Sequence, residues 1–78
     1  MVKELDTAVL TTDWLEEGLR AGDLGTVVLV HRGGMGYEVE FTTLRGETIT
    51  VVSLHSSQVR PIGRHEIAHA RPVEQIPA

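Results

Sequence analysis

The sequence predicts an all-β fold: five short strands that curl into a small barrel, followed by a C-terminal tail that is disordered or forms a single helical turn. Three observations lead there. Between Tyr37 and Thr43, the residues Tyr37, Val39 and Phe41 alternate with Glu38, Glu40 and Thr42, the period of two of a strand with one face buried. Turn signals containing glycine, at Ala21-Gly22-Asp23, Arg32 to Gly36 and Arg45-Gly46, separate short runs rich in β-branched residues. The segment Asp13 to Gly18 supports no more than about one helical turn, and a flat sheet of this size cannot cover both its faces, so closure is the natural outcome.

The elements follow in order. Leu5 to Thr11 reads as the first strand, with Leu5, Thr7, Val9 and Thr11 on one side and Asp6, Ala8 and Leu10 on the other. Asp13 is placed to cap a short helical turn with Glu16 three residues on, and Gly18 to end it in the left-handed conformation. Leu15 and Leu19 then tuck this loop onto the sheet. Leu24 to His31 is apolar on both faces from Val27 to Val30 and reads as a central, heavily buried strand. Gly25 near its start marks a bulge or a close backbone contact. Arg32 to Gly36 forms a hairpin tip, and Tyr37 to Thr43 the next strand. Glu47 to Leu54 follows after a tight hairpin, with Ile49 and Val51 set against Thr48, Thr50 and Val52. His55 to Gln58 reads as a short helical turn, and Val59 to Ile62 as a last strand in which Pro61 suits an edge. The barrel accordingly occupies residues 1–62 and the tail 63–78.

Composition narrows the function classes. The 78 residues allow one domain, and a domain this short buries only roughly 60% of the surface its unfolded chain exposes. There is no cysteine, which excludes disulfides, thiolate nucleophiles and cysteine-based zinc sites and favours the cytoplasm. The N-terminus lacks the apolar run of a signal peptide, and no stretch is apolar enough for a membrane helix. With 11 acidic and 7 basic residues the net charge is −4, which opposes phosphate-backbone binding, although Arg60, Arg64 and Arg71 crowd into the last third of the chain.

The sharpest motif is His65-Glu66-Ile67-Ala68-His69, which matches H-E-x-x-H. On a helix the two histidines would share one face and Glu66 could act as a base. Gly63 and Pro72 limit any such helix to about two turns, and no third ligand stands at a recognised spacing. The motif therefore reads as adventitious, able at most to hold a metal weakly, and no metal site is assigned. The loop Arg32 to Gly36 does not match a phosphate-binding loop, so no cofactor is expected. Ser53, Ser56 and Ser57 lie near His55, but adjacent side chains on a strand point to opposite faces, and no Ser-His-Asp arrangement is legible. No catalytic residue is assigned.

The candidate contact residues are Trp14, Glu16, Arg32, Tyr37, Glu38 and Glu40. Trp14, Tyr37 and Phe41 are the only aromatics. Phe41 reads as core and Tyr37 leans to core. Trp14, beside Glu16, either plugs one end of the barrel or anchors a partner. Glu38 and Glu40, with Glu47 across the hairpin, form an acidic strand face that suits a basic partner.

Several segments together resemble a small bacterial family known as domain of unknown function 4926: Leu5-Asp6-Thr7 with Val9-Leu10, Gly18-Leu19, Gly22 to Val28, Tyr37-Glu38-Val39-Glu40-Phe41, Gly46-Glu47-Thr48 and Gln58-Val59-Arg60-Pro61. The resemblance covers roughly residues 3–62. It implies an SH3-like barrel, assigns no enzyme activity, and suggests the partner or antitoxin-like half of a two-gene module. Gly22 to Val28 is also similar to the loop and strand of ribosomal-type and nitrile hydratase β-subunit-type SH3-like barrels. The expectation is a non-catalytic cytoplasmic interaction module, monomeric or weakly dimeric, that binds another protein encoded nearby. The alternative is a ribosomal-type nucleic-acid-binding module.

Overall fold

The computed structural model describes residues 2–74. It is all-β, with strands β1 (Thr7–Leu10), β2 (Leu24–His31), β3 (Gly36–Thr42), β4 (Thr48–His55) and β5 (Val59–Pro61). Single 3-10 turns at Leu15–Glu17 and Ser56–Gln58 are the only helical pieces among the described residues. The strands form one antiparallel sheet in the order β4-β3-β2-β1-β5. Among the described residues no ladder joins β4 to β5, so the expected closed barrel is an open sheet. The reason is local: β5 is three residues long, and the Ser56–Gln58 turn stands between it and β4.

All five strands feed one buried cluster: Ala8 and Leu10, Val27, Tyr37, Val39 and Phe41, Val52 and Leu54, and Val59. The sheet therefore curls around its own inner face. The period of two in β3 holds, with Tyr37, Val39 and Phe41 all buried. Gly25 in β2 marks a close approach. A Cβ there would lie 2.5 Å from Val39 Cγ1 and 3.0 Å from Phe41 Cε1, so only glycine lets β2 sit this near β3.

Three strand readings are corrected. Leu5 is 82% exposed with φ 71°, and β1 begins only at Thr7. In β2, Val27 pairs with Val39 but the next pair is Leu29 with Glu38. Val28 is the extra residue of a bulge, and Val28 and Leu29 stand 42% and 45% exposed instead of buried. In β4, Phe41 pairs with Thr50 but Thr42 with Thr48, so Ile49 is bulged out. That slip reverses the expected phase: Val52 and Leu54 face the core and Val51 faces out.

The loops follow the turn chemistry in part. Gly18 ends the first 3-10 turn with φ 74°, but Trp14 occupies the cap position and makes no side-chain cap. Asp13 Oδ1 instead accepts from the Ala21 N–H at 2.9 Å. Leu19 is buried as expected, whereas Leu15 is 64% exposed.

The tail is neither disordered through residue 74 nor helical. Glu66 N–H donates to the Gly63 carbonyl in a tight turn at 3.3 Å, and the chain then runs without helix to Glu74. Arg60 binds Glu66 with both guanidinium nitrogens, at 2.8 and 2.6 Å. Arg71 clamps Asp23 through Nε and Nη2 and also donates to the Gly18 carbonyl at 2.9 Å. These two anchors hold the tail as a strap against the β1–β2 side of the sheet. Val9, on the face opposite the core, is 4% exposed and lines a small cleft with Ile62, Ile67 and Ala68.

Candidate functional site: the outer face of β2, β3 and β4

Alternation sends the even residues of β3 outward, and the register places their neighbours. Glu38 lies between Leu29 of β2 and Ser53 of β4, and Glu40 between Thr26 and Val51. The outer face is therefore an acidic row on the middle strand, flanked by half-exposed Leu29 and Val51, with the bulged Val28 beside them.

Each carboxylate has defined partners. Ser53 Oγ donates to Glu38 Oε2, and His31 Nε2 reaches the same oxygen at 2.7 Å. The Ser53 hydroxyl, then the His31 ring, hold the Glu38 carboxyl below its usual range. Thr48 Oγ1 donates to Glu40 Oε2 at 2.7 Å. Ser53 and Thr48 both belong to β4 and His31 to β2, so Glu38 is held between its two neighbouring strands and Glu40 by β4.

Serine, glutamate and histidine thus meet across three strands, an arrangement that spacing along the chain does not show. The order of contacts is wrong for a nucleophile. The acid sits in the middle, and the serine donates to the carboxylate instead of to an imidazole base. No hydrogen bond joins Ser53 to His31 among the described residues.

The other predicted contact residues are not gathered here. Tyr37 is buried at 4% exposure on the opposite face, so its ring is core and not a contact surface. Trp14 is half-buried against the core and is held by paired backbone bonds with Leu19 at 2.9 and 3.0 Å. Glu16 is exposed on the 3-10 turn. Arg32 is exposed at the β2–β3 hairpin tip with φ 45°.

The H-E-x-x-H motif is taken apart by the fold. His65 and His69 lie on no helix, so the i, i+4 face that would bring them together does not exist. Glu66 is occupied by Arg60, whose hydrogen bonds come first, with the Gly63 N–H second, in holding its carboxyl at about 2. Among the described residues no three histidine or carboxylate side chains cluster as a metal site would require. The basic residues of the last third do not form a patch either, since Arg60 and Arg71 are each paired to a carboxylate.

A groove of about 490 Å³ separates the strap from the sheet, lined mainly by apolar residues such as Leu19, Leu24, Leu44, Ile49 and Val73. Its Asp23 and Arg71 are bonded to each other. Burial pushes the Asp23 carboxyl up, but the hydrogen bonds from Arg71 and the Arg20 N–H outweigh it and leave it below its ordinary value.

Fold and face together define a small all-β domain on one open antiparallel sheet, in which Asp23, Glu38, Glu40 and Glu66 each have defined side-chain partners. Within that class, the family model described as a domain of unknown function (DUF4926) matches residues 4–61, well over half of the chain, and the chain belongs to that family. No curated protein and no solved structure matches it. No helix among the described residues is long and apolar enough to cross a membrane.

Proposed function

We propose that the chain is a non-catalytic module that binds another protein through the outer face of β2, β3 and β4. The observation that carries this reading is the exposure of Val28, Leu29 and Val51, at 42%, 45% and 50%, around Glu38 and Glu40. Apolar side chains left half in water around fixed charges suit a surface that is covered part of the time. The acid row supplies charge complementarity to a basic partner. The partner or antitoxin-like half of a two-gene module is one role such a surface serves. The nucleic-acid reading has less to rest on, because Arg60 and Arg71 are neutralised within the chain.

Co-purification of the tagged chain from its native host, with identification by mass spectrometry, tests the proposal. A stoichiometric protein partner whose capture falls when Leu29→Lys is introduced is the expected result. Recovery of the bare chain alone contradicts it. A salt-dependent shift of RNA or DNA by the chain would favour the alternative.

A further inference from the structure

We propose that the free edge of β4 is a strand-addition site for an extended segment of a partner protein, one that alternates β-branched residues with Lys or Arg. This rests on the interaction reading above and assigns it a docking mode and a partner chemistry.

The edge itself is the first argument. β4 is Thr-Ile-Thr-Val-Val-Ser-Leu-His over Thr48–His55, without a charge, a proline or a glycine. It pairs with β3 on one side and, among the described residues, with no strand on the other. An unpaired strand of this length presents a row of backbone donors and acceptors. Proteins ordinarily blunt such rows with lysines, prolines or a covering segment. β4 has no lysine and no proline. Its bulge lies near its start, at Ile49, and Glu17 of the first loop touches it through the Thr50 hydroxyl, at 2.7 Å, which leaves residues 51–55 as the stretch an added strand requires.

The second argument selects the occupant. Glu38 and Glu40 accept from Ser53 and Thr48 of β4, which sets two carboxylates one strand in from the open edge. An added strand would lie about 10 Å from β3, two strand spacings away. A long basic side chain on its outer row extends back toward those glutamates over Val51 and Ser53. On its inner row, β-branched residues continue the apolar side that Val52 and Leu54 belong to.

A second copy of this chain fits worse. Self-pairing of β4 carries another Glu38 and Glu40 to the same seam, and each copy adds a net charge of −4. Like charges facing one another across a sheet are destabilising.

The test titrates the full chain with synthetic peptides and follows backbone amide shifts. One peptide alternates Val with Lys, and a control alternates Val with Glu. The Val-Lys peptide is expected to shift amides of Thr48–His55, with an affinity that falls as salt rises. Its form N-methylated along one backbone edge loses the interaction. The double variant Glu38→Gln with Glu40→Gln weakens binding by roughly three- to tenfold, and Val51→Lys weakens it at least as much while the far-UV spectrum stays unchanged. Equal binding of the Val-Glu peptide overturns the proposal, as do shifts confined to residues outside β4, no shift from either peptide at millimolar concentration, or self-association of the chain through β4. If Leu29→Lys loses the host partner while Val51→Lys captures it as well as the native chain does, the edge assignment fails and the interaction reading survives. If neither protein captures a partner, both fail.

Discussion

At one edge of the sheet β5 is three residues long and contains Pro61, and the chain after it folds back as a strap fixed by Arg60–Glu66 and Arg71–Asp23. At the other edge β4 runs for eight residues with no charge and no proline, and no strand covers it among the described residues. The two edges belong to one sheet and share one core, so the difference is not a matter of overall stability. Shortness, proline and the Arg60–Glu66 pair are concentrated on β5, and the strap that follows it is fixed to the β1–β2 side by Arg71–Asp23. The proposed contact surface rests on this contrast between a short, proline-bearing edge and a longer one without lysine or proline.

The largest effect comes from removing what the edges share. Phe41, 2% exposed at the centre of the core, should cost about 3–5 kcal/mol on Phe41→Ala. For so small a domain that amounts to unfolding, visible in urea melts as loss of both edges in one transition. A two-step melt would show that the edges are independent. Gly25→Ala should cost about 1–3 kcal/mol by overpacking, because its methyl would meet Val39 Cγ1 at 2.5 Å. An unchanged melt would mean that β2 and β3 have room to part.

Smaller changes act on one edge alone. Arg71→Ala removes the clamp on Asp23 and Gly18 and should speed hydrogen exchange in residues 63–73 while β4 is unaffected. Its stability loss should be less than that of Gly25→Ala, because the pair is partly in water. Acid should loosen the same strap. The Glu66 carboxyl lies at about 2 when folded, below its ordinary 4.5. Its contribution is therefore complete above the ordinary value and is lost as the pH falls toward and through 2. A carboxyl-carbon titration of Glu66 should give a midpoint near 2, and an ordinary midpoint would deny the Arg60 pair. Smallest of all, Val51→Lys should alter stability by no more than about 0.5 kcal/mol, because that side chain is half exposed on the outer face.

What could be read from the sequence follows the range of the interactions. β3 was legible because Tyr37, Val39 and Phe41 carry their own alternation. The glycine turns were legible because Gly18, Gly22 and Gly46 adopt the positive φ that glycine tolerates. The phase of β4 was not, because Ile49 and Val51 are as apolar as Val52 and Leu54, and only the bulge opposite Phe41 and Thr42 decides which pair faces inward. The exposure of Val28 and Leu29 was hidden in the same way by the bulge in β2. In the acidic face, Glu38 and Glu40 were found by alternation, but their partners Ser53 and His31 come from neighbouring strands. The strap was missed because Arg71 meets Asp23 48 positions away, a distance no local pattern spans.

The most direct measurement is a hydrogen-exchange footprint of the chain in complex with its captured partner, compared with the free chain. New protection across Thr48–His55, with residues 63–73 unchanged, is the predicted result. Protection confined to the strap and its groove, with β4 exchanging as freely as before, would contradict it.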